Sequence, residues 1–217
     1  ERSESDPIVV AGGPVVYNIE PIAEVFDLVF LGEGEEVLAE FMDLMKIYKA
    51  SARTNEPMSK ASLLKEASKL EGVYVPSYYS MDYNTDGTIK SIDTLVEWAP
   101  KSVRKRIISN LDCVDFPTNP VVPHTKIVHD RAYLELFRGC SRGCRFCQAG
   151  YVYRPVREKS IETLCGQGYE LEAATGYDEI GVLSLSTSDY SSLPEFLDIM
   201  VEPFADRHTS LSLPSLR

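Results

Sequence analysis

The chain has 217 residues, with 22 Lys and Arg against 33 Asp and Glu, and a formal net charge of −11. This acidity excludes a globally basic nucleic-acid-binding protein. Hydrophobic residues make up 44% of the chain and charged residues 25%, a balance that excludes intrinsic disorder. The charge is uneven, because residues 101–160 carry 12 basic and 5 acidic side chains while both flanks are acidic.

Nothing in the sequence predicts a membrane or secreted protein. No apolar run approaches the roughly 18–20 residues of a membrane helix. The number of cysteines is 5, and an odd number with three close together is not typical of a secreted disulfide framework. We expect a cytoplasmic location and no membrane partner. Both ends lie beside strand-like runs and the first residue is not Met, so we expect a piece of a longer protein.

Residues 1–50 predict two strand-helix units. The apolar runs at 8–11 and 26–31 are continuous, as in strands buried on both faces of a parallel sheet. A short helix is predicted at 20–25. A longer amphipathic helix is predicted at 36–50, with acidic residues at its N-terminus.

Residues 51–130 predict a connector between two domains. A helix is expected at 60–70, and β-rich patterns surround the turn signal at 84–87. The proline-rich stretch at 117–123 predicts an extended linker. The expected strands of this connector are 74–79, 81–83 and 88–92.

Residues 131–217 alternate between strand and helix patterns. The strands are predicted at 133–137, 179–185 and 209–213, and the helices at 160–175 and 193–204. This alternation predicts a parallel sheet with crossover helices, so the fold class is α/β.

Three cysteines in the basic segment, Cys140, Cys144 and Cys147, have C-x3-C-x2-C spacing. Three thiolates on one short loop can hold three corners of an iron–sulfur cube and leave the fourth iron open to a ligand. Gly139 and Gly143 allow the loop to curl tightly. Positive charge that could offset the thiolates comes from Arg138, Arg142 and Arg145.

With aromatic Phe146 before the third cysteine, this motif resembles that of the radical S-adenosylmethionine (SAM) superfamily. The wider stretch 134–157 resembles uncharacterised radical SAM proteins with an N-terminal cobalamin-binding-like domain. The resemblance implies that residues 1–50 end a Rossmann-like cobalamin-binding-type domain. Residues 131–217 would then be the first half of a radical SAM (βα)6 partial TIM barrel, after the connector at 51–130.

The resemblance also implies cofactors and a reaction. Cys140, Cys144 and Cys147 would ligate a [4Fe-4S] cluster whose open iron chelates the amino and carboxylate groups of SAM. One electron, from a donor such as flavodoxin or ferredoxin, would cleave SAM to a 5′-deoxyadenosyl radical that abstracts hydrogen from an unknown substrate. Because the remaining barrel strands are missing, we expect this chain alone to be inactive.

The resemblance further implies binding residues. Phe146 would lie against the adenine of SAM, and the ends of the second and third barrel strands would supply Ser186, Ser188, Asp189, Ser215 and Arg217. Gly12 and Gly13 are candidate cobalamin contacts, because a Gly-Gly strand end permits close backbone approach. The Asp-x-His-x-x-Gly segment that supplies the lower cobalt ligand is missing from the sequence, which argues against cobalamin.

Two alternatives stay open at this point. The cysteines could form a zinc-stabilised binding module, completed by Cys113, Cys165 or His129, although a second short ligand motif is lacking. The chain could also be an RNA-modifying methylthiotransferase-like protein, with the basic segment contacting nucleic acid. Such proteins carry another three-cysteine domain upstream, which residues 1–130 lack.

Overall fold

A computed structural model of the chain describes residue 3 and residues 6–125 and 127–216. The chain divides into two compact units, an N-terminal unit that ends at Ile108 and a C-terminal unit that begins at Ser109. Each unit has its own buried hydrophobic core. Residues 51–108 of the predicted connector therefore group with the N-terminal unit. The predicted domain limits at 50 and 130 stay predictions.

No helix in the described part of the chain is both long enough and apolar enough to cross a membrane.

The N-terminal unit is built on a small mixed sheet. Its strands are β1 (Val10–Ala11), β2 (Leu28–Phe30) and β3 (Val73–Tyr74), with β2 in the middle. β1 runs parallel to β2, and β3 runs antiparallel to it. Every residue of β2 is buried, as its continuous apolar run predicts. The predicted short helix at 20–25 forms as the 3₁₀ helix Glu20–Val25.

Two helices and a hairpin complete this unit: α1 (Gly34–Ser51), α2 (Lys60–Ala67), β4 (Tyr79–Tyr83) and β5 (Ile89–Thr94). The predicted antiparallel hairpin is confirmed, with its turn at the expected place. The predicted strand at 74–79 is wrong over most of its length. Pro76 lacks a backbone N–H for a ladder and instead opens the 3₁₀ helix Pro76–Tyr78.

The C-terminal unit is built on a parallel sheet. Its strands and helices, in chain order, are β6 (Ala132–Glu135), β7 (Phe137–Arg138), α3 (Ala149–Val152), β8 (Arg157–Glu158), α4 (Ile161–Thr175), β9 (Glu179–Leu183), α5 (Leu193–Asp206) and β10 (Ser210–Ser212). The order β6-β9-β10 is parallel throughout, with α4 and α5 as crossovers. The α/β class is confirmed; the Rossmann-like domain and the partial barrel stay predictions.

One predicted strand of this unit divides into two. The run at 133–137 splits at Leu136, so that β6 joins β9 while β7 pairs with β8 in a separate ladder. Leu136 is fully buried, donates its N–H to the carbonyl of Leu183 at 3.0 Å and accepts from the N–H of Lys159 at 3.0 Å. The chain therefore changes partner at Leu136 without losing a backbone hydrogen bond.

A nearly buried ion pair supports the short strands of the N-terminal unit. Lys60 Nζ lies 3.0 Å from Asp27 Oδ1, and the two side chains are only 9% and 11% exposed. Asp27 also accepts a 2.7 Å hydrogen bond from the N–H of Val9, just before β1. Asp27 thus links the start of α2 to the entry into β1.

Replacing Lys60 by Met should lower the free energy of unfolding by about 3 kcal/mol, because it leaves the Asp27 carboxylate without its counter-ion. Urea unfolding followed by the fluorescence of Trp98, the chain's one tryptophan, measures this in the N-terminal unit. The control is Lys69→Met, which removes an exposed pair with Glu66 and should cost no more than about 0.5 kcal/mol. Equal losses in both variants would contradict the role of the buried pair.

Candidate functional site

The cysteines lie on a loop that is closed at its base. β7 and β8 pair antiparallel, with Phe137 opposite Glu158 and Arg138 opposite Arg157. We call residues 137–158 the cysteine hairpin. Its first arm, residues 137–147, carries the three cysteines. Its second arm, residues 148–158, contains α3 and returns to β8. This pairing holds together the two ends of the intervening segment, residues 139–156, which contains the three cysteines.

Gly139 makes this closure possible. Its φ of 91° is a backbone conformation that residues with a side chain rarely adopt. A Cβ at this position would lie 2.5 Å from the carbonyl oxygen of Pro155 and 2.9 Å from that of Tyr153. The two arms of the hairpin can therefore approach this closely only with glycine here.

The returning arm fixes the backbone of the cysteine arm. Arg154 donates from Nε to the carbonyl of Cys140 at 3.2 Å. Tyr151 donates its hydroxyl to the carbonyl of Gly143, also at 3.2 Å. The guanidinium of Arg154 lies over the Tyr151 ring, 4.7 Å from its centre. Neither Tyr151 nor Arg154 was among the predicted site residues. The sequence feature that could have indicated them is the presence of Tyr and Arg shortly after the cysteine motif.

The three predicted ligands are thiols with different surroundings. Cys140 is buried, whereas Cys144 and Cys147 are half-buried. Cys147 Sγ accepts a hydrogen bond from the N–H of Gly150 at 3.4 Å. Within the described residues, no three His, Cys, Asp or Glu side chains are grouped so that they could hold a metal ion. The three cysteines are close in sequence, and their joint binding of one iron–sulfur cluster stays a prediction.

A bidentate ion pair joins the cysteine hairpin to the end of β9. Arg142, between the first two cysteines, donates from Nε to Asp189 Oδ2 at 2.7 Å and from Nη2 to Asp189 Oδ1. Hydrogen bonding and attraction to Asp189, with smaller Coulombic contributions from Cys140 and Cys144, raise the pKa of Arg142 above its usual value. The structure thus brings together a cysteine-loop cation and a predicted SAM residue.

The expected excess of positive charge around the thiols is smaller than the sequence suggests. Arg138 donates to both carboxylate oxygens of Glu135, at 2.8 and 3.1 Å, and Arg142 is paired as described. Arg145 is exposed. Two of the three predicted cations, Arg138 and Arg142, therefore form ion pairs with carboxylates. The spacing of the residues in the sequence does not predict these ion pairs.

The ends of β9 and β10 meet at the same edge of the parallel sheet. Thr187 donates its N–H to the carbonyl of Ser215 at 3.2 Å and its hydroxyl to the carbonyl of Pro214 at 2.5 Å. The hydroxyls of Ser184 and Thr187 are 2.9 Å apart. We call these contacts the strand-end clasp. Thr187 was not predicted, although it lies within the serine-rich stretch that was.

The predicted SAM residues of this edge differ in exposure. Ser186 is fully buried, and its hydroxyl has no hydrogen-bond partner among the described residues. Ser188 and Ser215 are exposed, and Ser215 has a φ of 60°. An unsatisfied buried hydroxyl costs free energy unless a ligand or water completes it. Ser186 is therefore the polar group of this edge that most needs a partner.

The remaining predicted site residues lie in other places. Phe146 is 91% exposed on the cysteine hairpin. Arg217 lies outside the described residues. Gly12 and Gly13 belong to the N-terminal unit, and a Cβ on Gly13 would meet nothing within 4 Å. Of the other cysteines, Cys113 is exposed and Cys165 half-buried, where burial raises the pKa of its thiol.

Beneath the base of the hairpin lies a buried lysine that sequence reasoning missed. Lys159 is 2% exposed, donates from Nζ to Gln167 Oε1 at 2.9 Å and lies 4.0 Å from the centre of the Phe116 ring. Burial lowers the pKa of its ammonium group. Tyr190 donates its hydroxyl to the carbonyl of Lys159 at 2.9 Å. This bond ties the junction between β8 and α4 to the turn that follows β9.

Comparisons with known proteins give a match to a family model and a similar protein. Residues 1–76 match the family model described as radical SAM proteins, N-terminal. An uncharacterized protein of Methanocaldococcus jannaschii is 26% identical over 205 residues, which is 92% of this chain. The chain spans 37% of the length of that relative. The family match covers a part of the chain separate from the cysteine hairpin.

Replacing Gly139 by Ala should destabilise the C-terminal unit by about 2 kcal/mol or more. The added methyl group forces an unfavourable φ and meets the Pro155 carbonyl. Urea unfolding followed by circular dichroism measures the change. The control is Gly166→Ala on exposed α4 surface, where the new methyl meets nothing within 4 Å and should stabilise the helix by up to about 1 kcal/mol. A neutral Gly139→Ala would contradict the steric argument.

Tyr190 should make the C-terminal unit sensitive to alkaline pH. Burial, with the nearby charge of Glu158 and Asp112, raises the pKa of Tyr190 from 10.0 to about 12. The unfolded chain loses this proton at lower pH than the folded chain. The stabilisation is therefore complete below pH 10, and about 2–3 kcal/mol of it is lost as pH rises through 12.

In Tyr190→Phe this alkaline loss should disappear, at the cost of about 1 kcal/mol at pH 7 for the missing hydrogen bond to Lys159. At pH 7 the urea midpoint of Tyr190→Phe should lie below that of the unmodified protein. At pH 11 the two midpoints should lie close together. The control is Tyr83→Phe, at an exposed tyrosine, whose midpoints should follow those of the unmodified protein. A constant difference between Tyr190→Phe and the unmodified protein at both pH values would refute the assignment.

Proposed function

We propose that this chain is part of a radical SAM enzyme in which Cys140, Cys144 and Cys147 hold a [4Fe-4S] cluster. The observation that carries the proposal is the joining of the cysteine hairpin to the Ser186–Asp189 edge through Arg142. The N-terminal match to radical SAM proteins supports it from a separate part of the chain. Arg142, which lies between Cys140 and Cys144 in the sequence, contacts this polar strand edge, and this contact supports the binding of a small molecule beside a cluster.

The chemistry of the donor set fits an iron–sulfur cluster. All three candidate ligands are cysteines on one short loop, and thiolates are the usual protein ligands of such clusters. Glu135, the nearby carboxylate, is occupied by Arg138. The hydrogen bond from Gly150 N–H to Cys147 Sγ shows how the loop backbone can stabilise a thiolate.

SAM offers an amino group, a carboxylate, a ribose and an adenine ring. We assign the buried Ser186 hydroxyl to one of its polar groups, because Ser186 lacks a partner among the described residues. Exposed Ser188 and Ser215 lie within two residues of the strand-end clasp and can offer further hydroxyls. Phe146 presents an exposed aromatic face for the adenine, and Arg217 belongs to the same proposal.

When bound, a reduced cluster with SAM supplies one-electron cleavage of a carbon–sulfur bond and hydrogen abstraction from a substrate. The chain's own part is to bind and orient. The cysteine hairpin holds the thiols at the sheet edge, Gly139 allows the hairpin to close, and Ser186 offers a hydrogen bond. Such positioning, together with the exclusion of water, is what the protein contributes to cofactor chemistry.

The partners belong to the same proposal. The reducing electron would come from a donor such as flavodoxin or ferredoxin. Residues 1–50 would be the end of a cobalamin-binding-like Rossmann domain, with Gly12 and Gly13 at a strand end, and residues 131–217 would be the first half of a (βα)6 barrel. Because the chain spans 37% of its relative, activity is proposed for the longer protein.

Anaerobic reconstitution with iron and sulfide tests the cluster. The chain should bind about four irons with labile sulfide and show a broad band near ~400 nm. Cys140→Ser, Cys144→Ser and Cys147→Ser should each lose most of the iron, because each removes one ligand. Cys113→Ser, at an exposed cysteine outside the hairpin, is the matched control and should retain it. Stoichiometric zinc without sulfide, or equal iron in all variants, would overturn the proposal.

A further inference from the structure

Asp189 is fully engaged with the cysteine hairpin. Arg142 donates to both carboxylate oxygens of Asp189, in the fork geometry that makes Arg–carboxylate pairs strong and directional. The Asp189 side chain is only 18% exposed. Little of its carboxylate therefore faces a small molecule. The contact acts across 47 residues of sequence and joins two parts of the C-terminal unit.

The turn that carries Asp189 is held firmly on the sheet. Asp189 donates its N–H to the carbonyl of Ser186 at 2.8 Å. Thr187, in the same turn, forms the strand-end clasp with Pro214 and Ser215. The carboxylate of Asp189 is thus a fixed acceptor on the edge formed by β9 and β10.

The cysteine arm has a different kind of support. Arg154 and Tyr151 bond to the carbonyls of Cys140 and Gly143, but both belong to the hairpin itself. Such bonds fix one arm against the other, while Glu158 at the base of the hairpin accepts hydrogen bonds from the backbone N–H and the hydroxyl of Ser191. The pair between Arg142 and Asp189 connects the cysteine arm to the sheet. Arg142 lies two residues from both Cys140 and Cys144, so its position sets theirs.

We propose that Asp189 is a positioning residue, which tethers Arg142 and with it the cysteine arm to the sheet edge, and that it does not bind SAM. This inference rests on the proposed function for its consequence in cluster retention. The tether itself is a property of the chain without iron. Loss of the tether should loosen residues 140–147 and make the three thiols a poorer joint ligand set.

Hydrogen exchange on the iron-free chain tests the tether directly. Asp189→Asn keeps the size of the side chain but removes the charge and one acceptor. The amides of residues 140–147 should exchange at least fivefold faster than in the unmodified chain. Asp198→Asn makes the same change on the exposed face of α5 and should leave these amides unchanged. Unchanged exchange in Asp189→Asn overturns the inference.

Cluster retention and SAM affinity, measured on reconstituted protein, separate the two roles of Asp189. Under a chelator, Asp189→Asn should lose iron at least fivefold faster than Asp198→Asn, and SAM affinity per loaded cluster should stay within twofold. Asp189→Glu, which keeps a carboxylate, should recover part of the retention. Unchanged iron loss with weakened SAM binding would make Asp189 a SAM contact and overturn the proposal.

The same experiments distinguish failure of this inference from failure of the proposed function. If the unmodified chain takes up no iron, the proposed function fails, and the hydrogen-exchange result still decides whether Asp189 tethers the cysteine arm. If iron binds and exchange in Asp189→Asn is unchanged, the proposed function stands and the positioning role is overturned.

Discussion

The antiparallel pairing of β7 with β8 is the constraint on which the candidate site depends. Each strand has two residues, so the ladder is short, and it closes only because Gly139 admits the carbonyl of Pro155 where a side chain would lie. Once closed, the hairpin presents three thiols from one arm and receives its backbone support from the other. Arg142 then connects the cysteine arm to the edge of the parallel sheet through its contact with Asp189.

Both units contain short strands, and different interactions stabilise these strands in each unit. In the N-terminal unit, β1 has two residues and depends on Asp27, a buried carboxylate shared between the Val9 amide and the Lys60 ammonium group. In the C-terminal unit, α4 and α5 cover the sheet, with Phe196, Met200 and Phe204 fully buried. The first solution is electrostatic and sensitive to single substitutions, whereas the second spreads its stability over a hydrophobic core.

Much of the fold could be predicted from the sequence, because it is written in local patterns. The continuous apolar run of β2 predicts a buried strand, and the strand-helix alternation after Arg131 predicts the parallel sheet with its crossover helices. The misses came from contacts between distant residues. The split at Leu136 depends on partners at Leu183 and Lys159, which no local window contains. The neighbours of Pro76 predict a strand, but Pro76 lacks the N–H that a strand ladder needs and begins a 3₁₀ helix instead.

The candidate site shows the same division. Spacing identified Cys140, Cys144 and Cys147 as a possible ligand set, but the engagement of Arg142 with Asp189 needed the tertiary structure.

The bond from Tyr190 to the Lys159 carbonyl has a consequence for chain length. Lys159 also donates its N–H to Leu136, and Ser160, the next residue, caps α4 and donates its own N–H to Asp112. Lys159 and Ser160, which connect β8 to α4, therefore bond to several parts of the unit. A residue inserted between them would move their backbone groups away from these partners. Residues 119–125 are exposed and carry no helix or strand. Insertions and deletions among homologues should accumulate there and be missing from the junction at 159–160.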